Sequence, residues 1–573
     1  MLTRRSLTAL ALPALAAGAL LTHAAPAEAC GGTFCDVGPQ GMPVDQTGEN
    51  IIFAYNGDSV EVHVQIAYDP DTEASKFSWI VPLTALPEFH VGSQILFDNV
   101  LNGTVPFYGF NTTPEFCGDN GGGGGPPQDG GFDTSGASSG GGEETGGGPE
   151  IVLKQQVGAF EVTVLKSGDA AELMGWLAEN GYQQPEGTEA IVQEYLNEGN
   201  LFAAFKLVPG VEPVIHPVVF VYQGTLACVP IRLTRVAAVE NMDIRVFFLG
   251  DARGIPTNYR HVLVNPLKID WVNFAANYKE VVTAAVDAFA AEGNAFVTEY
   301  AGPSDVISQA NLYSPAWSAK DFIGLPVTEV ANTLMGQGLL WCSEWDWQCF
   351  FNHPLVEGLL ANYVPVPAGV EPYDFWQCMS CYEDQIDALA WGDGSAFAND
   401  FDVRVVEPGQ RALSLLQSKP YVTRMYTTIS PHEMMADPEF TENPNLPGVP
   451  AMRMAEKLRR CDGHAEYTLP DGRVVFVPND GAWPDFPQEM PWEEEVDQMA
   501  MAGAPQILVT NTAQIDQSLA DWNAANKPTY DSLGGDSSGQ DGDAGCGCTS
   551  GGGGGGLALL GLFSLLGLRR RRG

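Results

Sequence analysis

Asn50-Ile51-Ile52-Phe53-Ala54-Tyr55-Asn56-Gly57-Asp58-Ser59-Val60-Glu61-Val62-His63-Val64-Gln65-Ile66-Ala67-Tyr68 decides how this chain folds. Val60, Val62, Val64, Ile66 and Tyr68 alternate with Glu61, His63 and Gln65. A period of two belongs to a strand, whose successive side chains point to opposite faces. Ser59–Tyr68 therefore reads as a half-buried strand with one wet face. Asn50–Tyr55 is its partner, and Asn56-Gly57-Asp58 supplies the turn of a hairpin. His63 falls on the wet face and reads as a surface residue before it reads as a ligand.

Further strands are expected at Phe77–Pro82, Ile151–Gln156, Ala159–Lys166, Leu201–Leu207, Val218–Tyr222, Val229–Thr234, Asp243–Leu249, His261–Val264, Val403–Glu407 and Tyr421–Thr428. Glu466–Leu469 and Arg473–Val477 flank Pro470-Asp471-Gly472 as a second hairpin. Asp169 caps a helix running to Glu179, and a shorter helix follows from Glu189 to Asn197. The longest helix is expected over Asn273–Glu292, where Phe274, Tyr278, Val281, Val282, Ala285 and Phe289 form one apolar stripe. Ser430-Pro431-His432-Glu433 has the layout of a capping box opening another helix. The fold class is α+β, a largely antiparallel sheet with packed helices and a helical insertion rich in cysteine and tryptophan.

The chain divides into an export signal (1–29), a β-rich part (30–116), a Gly-rich linker (117–149), an α+β body (150–300), the Cys/Trp-rich insertion (301–399), the rest of the body (400–531), a Gly/Asp stalk with a cysteine sorting site (532–550) and an apolar helix with an arginine cluster (551–573). Arg4 and Arg5, the apolar run Leu7–Leu21 and Ala27-Glu28-Ala29 before Cys30 form a signal with cleavage between Ala29 and Cys30. Thr3-Arg4-Arg5-Ser6-Leu7 also fits a twin-arginine signal. Leu557–Leu568 carries no charge, and with the preceding glycines it extends about 27 Å as a helix, close to the roughly 30 Å of a bilayer core. Arg569, Arg570, Arg571 and Arg572 then hold the terminus inside.

The 573 residues carry a net charge of −43. That excess disfavours nucleic acid and anionic membrane surfaces as partners. Eleven cysteines in an exported chain read first as disulfides. The candidates are Cys30 with Cys35, in a tight glycine turn, and Cys342, Cys349, Cys378 and Cys381. Zinc held by the last four, or a redox dithiol at Cys378-x-x-Cys381, are the alternatives.

Cys30-Gly31-Gly32-Thr33-Phe34-Cys35, Pro43-Val44-Asp45-Gln46, Ile51-Ile52-Phe53 and Phe77-Ser78-Trp79-Ile80-Val81-Pro82 resemble domain of unknown function family 2330. Thr423–Ser430, Glu433-Met434, Asp437-Pro438 and Phe440 extend the resemblance along the exported body. It implies a bacterial envelope protein and supplies no catalytic residues. Cys546-Gly547-Cys548, the glycine run, the apolar helix and the arginines resemble the myxobacterial C-terminal sorting signal. This second resemblance implies export machinery, a myxosortase-like processing enzyme and the envelope membrane as partners.

Catalytic motifs fail their context. Gly136-Ala137-Ser138-Ser139-Gly140 matches a nucleophile elbow in letters but sits in the linker, without strand or helix. His432-Glu433 lacks a second histidine four residues on, where Ala436 stands. No cofactor or metal is expected, and no catalytic residue is assigned. The expectation is an exported, membrane-anchored or cell-surface envelope protein, structural or binding. The alternative is an extracytoplasmic enzyme (a hydrolase, or thiol redox), with Asp45, His63, Arg424 and Glu433 as the residues to watch.

Overall fold

The computed structural model describes residues 32–36, 46–68, 77–115, 149–183, 187–208, 216–224, 227–461, 463–478 and 481–534. The export signal with Ala29 and Cys30, Asp45, linker residues 117–148 and everything after residue 534, including Cys546, Cys548 and Arg569 to Arg572, lie outside these residues, as does the Cys35 side chain. The described chain is α+β, and most strand pairs are antiparallel.

Two sheets pack face to face. The larger has ten strands in the order Gln506–Thr510, Glu493–Gln498, Arg260–Val264, Ala295–Pro303, Tyr421–Ile429, Ala238–Gly250, Gln46–Asn56, Ser59–Tyr68, Val218–Gln223, Glu88–Val91. The smaller has six, with Leu201–Leu207 and Phe77–Leu83 near its centre. Alternation along each strand sorts side chains between layers. Val60, Val62 and Val64 meet Trp79, Val81, Ala203 and Phe205 between the sheets. Phe205 sits within 6.0 Å, ring centre to ring centre, of Trp79, Phe89, Phe160 and Phe220. Such aromatic pairs each contribute about 1 kcal/mol beyond their burial.

The outer faces are covered by helices. Ile80, Phe202 and Ala204 face the Ala170–Glu179 and Thr188–Asn197 helices. Asp169 caps the first of these, accepting from Ala171 N at 2.8 Å. Ile52, Ala54, Phe247 and Leu249 of the large sheet face the Gln94–Thr104 and Glu407–Ser418 helices. The body is thus four layers: helices, small sheet, large sheet, helices. Residues from Trp317 to Val406 gather around an apolar cluster of their own. Within it, disulfides join Cys342 to Cys349 and Cys378 to Cys381. With their sulfurs bonded to each other, these cysteines offer no thiolates to zinc.

Several expectations are corrected. The polar face of Ser59–Tyr68 is not wet: Glu61 and His63 are buried, His63 with 1% exposure, because the Glu407–Ser418 helix side of the body covers them. The Asn273–Glu292 helix shrinks to Tyr278–Val286. Phe274 and Ala275 take positive φ ahead of it, and Phe289 is fully exposed rather than packed. The longest described helix is instead Thr512–Gly534, where Ile515 and Leu519 enter a third cluster with Trp271 and Tyr467. Val229–Thr234 is not a strand: a two-residue strand, Ala227–Cys228, ends just before it, and Ile231–Thr234 is a helical turn. Val403–Glu407 is a π-helical turn, Asp402–Val406, joining the Ser395–Phe401 and Glu407–Ser418 helices. Ser430–Glu433 is a turn that opens no helix. Glu433 still reaches back to the Ser430 amide at 2.8 Å, while the Ser430 hydroxyl pairs with Asn241.

Candidate functional site

The Glu407–Ser418 helix crosses the large sheet near the edge formed by Ser59–Tyr68, Val218–Gln223 and Glu88–Val91. Pro408 opens it with φ preset for a helix. Gly409 follows because a Cβ there would lie 2.1 Å from the Leu312 carbonyl oxygen. Ala412, Leu415 and Leu416 bury against Ile52 and Ala54. The next face of the helix, with Arg411 and Ser414, borders a cleft of about 690 Å³. Glu61, His90 and Gln156 line the opposite wall. A volume of that size suits a small-molecule site.

Register explains why these side chains converge. His90 lies opposite Val219, Val219 opposite His63, His63 opposite Ile52, Ile52 opposite Phe247, and Phe247 opposite Arg424. Opposed residues share a face, so this row, and the row two residues along with Glu88 and Glu61, point toward the helix. Glu61 is the hub. Its Oε1 is 2.9 Å from His63 Nε2, and its Oε2 accepts from Arg411 Nη1 at 3.3 Å and from Asn56 Nδ2 at 3.3 Å. Burial pushes the Glu61 carboxyl up, but the hydrogen bond and charge of His63, together with Arg411, outweigh it and leave the group below its usual range.

His90 is pushed the other way. Burial lowers its pKa, and the Arg411 charge lowers it further, against the opposing pull of Glu88 and Glu61. It is therefore neutral at pH 7. His63 Nδ1 is buried with no hydrogen-bond partner among the described residues, while His90 Nε2 faces Glu88 Oε2 at 3.7 Å, just beyond hydrogen-bond range. A buried ring nitrogen with no partner is costly, and such atoms mark positions that a ligand or water satisfies. The cleft thus holds a carboxylate paired with a guanidinium across its width, and a neutral imidazole in its lining.

Of the described residues marked from sequence, only His63 reaches this site, through its bond to Glu61. Arg424 shares its row but stands three strands away, about 14 Å at ordinary strand spacing, and is bound to Glu299, the Leu101 carbonyl and Thr104. Glu433 lies in the turn described above, where burial raises its pKa and the neighbouring Asp287 raises it further against the Ser430 amide. Glu61, His90 and Arg411 were missed. The first had only its alternation with the valines to distinguish it, and the arginine lies 350 residues further along the chain.

Asp437, within the second stretch of family likeness, is structural. Its carboxylate accepts from Tyr195 Oη, Arg232 N and Arg232 Nε at 2.8–3.1 Å, tying the Thr188–Asn197 helix to the turn at Ile231. Arg232 is held firmly charged there, since its bonds to Glu198 and Asp437 outweigh its desolvation. Among the described residues no group of three or more His, Cys, Asp or Glu is placed to hold a metal, and no helix is long and apolar enough to cross a membrane.

No curated protein and no solved structure matches the chain. A family model described as "Uncharacterized protein conserved in bacteria (DUF2330)" matches residues 24–315, just over half of the chain. The match includes Glu61, His63, His90 and Gln156, whereas Arg411 and the likeness at Thr423–Phe440 lie beyond it. The chain belongs to this family of uncharacterized bacterial proteins, DUF2330.

Proposed function

We propose that the chain is a binding protein of the cell surface, whose cleft takes a small carboxylate-bearing molecule. The observation that carries this reading is Arg411. Its Nη1 is anchored by Glu61 while the side chain remains about a third exposed at the cleft, which leaves the rest of a planar fork to meet a carboxylate side-on. Glu61 suits an anchor better than a general base. A base works best with a pKa near the working pH, and this carboxylate is held low with both oxygens occupied.

Export and anchoring rest on the two ends of the sequence: the charged and apolar leader before Cys30, and the order of cysteines, glycines, apolar run and arginines after Gly545. Thermal-shift titration with amino acids, dipeptides and dicarboxylates is expected to find ligands that raise the melting midpoint in a saturable way. Arg411→Gln is expected to abolish the rise. A shift that survives this substitution, or a panel without effect, defeats the cleft assignment. For the surface reading, intact mass of the protein from its native envelope is expected to show a start at Cys30 and an end near Cys546 or Cys548. Unprocessed ends would leave a plain membrane anchor and no sorting.

A further inference from the structure

A second surface lies far from the cleft in sequence and differs from it in chemistry. Leu340–Ser343 and Gln348–Phe351 form a hairpin closed by the Cys342–Cys349 disulfide. Alternation places Leu340, Cys342, Cys349 and Phe351 against the apolar cluster of this unit. The opposite face shows Trp341 stacked on Phe350 at 5.5 Å, and the connecting loop adds Trp345 and Trp347. Trp341 is 56% exposed, Trp345 93% and Trp347 68%. Three exposed tryptophans within seven residues, Trp341 to Trp347, exceed the scattered apolar exposure normal for a protein surface.

The tip is also held in shape. The buried Ser343 hydroxyl accepts from the amides of Trp345 and Asp346 and donates to the Asp346 carboxylate. Trp347 takes φ +54°, a region in which a bulky side chain costs on the order of 1 kcal/mol, and its ring meets Tyr373 edge-on at 5.4 Å. Glycine or asparagine would close this loop with less strain. Backbone strain at an exposed aromatic points to use of the ring.

The surroundings select the occupant. Glu344 and Asp346 lie between the tryptophans, and residues 301–399 contain one lysine, Lys320, no arginine and twelve carboxylates. An anionic bilayer surface or an acidic polymer would be repelled. Flat amphipathic rings flanked by carboxylates instead match an uncharged sugar chain, whose C–H faces lie on indole and whose hydroxyls donate to carboxylate oxygens. We propose that this hairpin is a docking site for neutral polysaccharide, with Trp341, Trp345 and Trp347 as the stacking platform. This would place a second, glycan-directed contact on a protein whose cleft serves a small molecule.

The test is depletion of the intact protein from solution by insoluble glucan and by chitin, with glucose and N-acetylglucosamine hexamers as competitors. Retention on at least one of them, relieved by its hexamer, is expected. Trp345→Ala is expected to weaken it about tenfold, the equivalent of one lost stacking contact, with the melting midpoint unchanged because this ring supports nothing beneath it. Leu389→Ala removes an equally exposed apolar side chain of the same unit and is expected to leave retention intact. Absence of retention on both materials, equal loss in the Leu389 variant, or retention that survives Trp345→Ala combined with Trp341→Ala overturns the proposal. So does co-sedimentation with phosphatidylcholine vesicles in place of glycan binding, which would make the tip a membrane contact.

Discussion

Arg424 and Glu299 form a buried ion pair on neighbouring strands of the large sheet, and Arg424 Nη1 donates to Leu101 O and Thr104 Oγ1. Desolvation offsets most of what such a pair gains, so its presence stabilises little, while its rupture leaves an uncompensated charge. Arg424→Met is expected to lower stability by about 3–5 kcal/mol in urea unfolding, and Arg424→Met with Glu299→Leu to restore most of it. A double variant no more stable than the single one would show that the arginine acts through its other contacts. At this scale the sequence was partly legible. The strand expected at Tyr421–Thr428 forms as Tyr421–Ile429, but nothing local to Arg424 marks Glu299 as its partner, 125 residues earlier on the neighbouring strand. Glu61 and His63 were misplaced to solvent because alternation reveals that a face is polar, and what covers that face is set by a helix hundreds of residues later. Glu61→Gln keeps shape while removing charge, so its effect on ligand titration separates anchoring of Arg411 from packing.

The short helix Pro354–Ala361 shows how one cap couples an element to pH. His353 Nδ1 accepts from the Leu355 amide at 3.2 Å, which only the unprotonated nitrogen can do. Burial lowers the His353 pKa to about 4. The unfolded chain takes up its proton near pH 6.5, so the contribution of neutral His353 is complete above that pH and fades as pH falls toward 4. The fade amounts to roughly 2–4 kcal/mol. His353→Asn keeps a capping oxygen without a titrating group. Urea midpoints measured at pH 7, 5 and 4 are expected to fall less steeply in the variant, by about one proton. Parallel curves would clear His353 of the acid response. The residual slope belongs in part to His216, whose Nε2 accepts from Ala159 N and whose pKa burial also lowers to about 4. Ser59–Tyr68 falls where alternation puts it, and the helix expected after the Asp169 cap runs to Glu179 as read, whereas the capping-box letters at Ser430 open no helix. Val403–Glu407 read as a strand because Val-Arg-Val-Val is β-rich over five residues. The longer window, with Phe397, Phe401 and Val405 four apart, carries the helical signal that the structure follows. Over Asn273–Glu292 the apolar stripe was real only from Tyr278 to Val286, since an exposed Phe289 completes a pattern without packing anything.

For the whole molecule, composition and alternation reached the α+β class and the separate character of the Cys/Trp-rich stretch. The four-layer order was out of reach, because pairings such as Gln46–Asn56 beside Ala238–Gly250 are long-range and carry no local mark. That order joins the insertion to the cleft. Ser395–Phe401, Asp402–Val406 and Glu407–Ser418 follow one another without a break. Phe397, Phe401 and Val405 anchor the start of this run in the insertion core, and Arg411 and Leu415 reach the cleft and the large sheet at its other end. A π-helical turn sits at the junction, a form that recurs near functional sites. The two disulfides close loops of only a few residues, so each constrains the unfolded chain by about 2 kcal/mol, and both act within the insertion. Reduction is therefore expected to loosen residues 317–391 before the sheets, with the shared helical run carrying part of the change to Arg411. Hydrogen exchange with and without reductant should show faster exchange first at Leu340–Phe351 and Pro372–Gln377, then at Glu407–Ser418, with the Tyr421–Ile429 strand unchanged. Uniform acceleration across both sheets would mean that insertion and body unfold as one cooperative unit. Acceleration confined to the hairpin would mean that the helical run transmits nothing to the cleft.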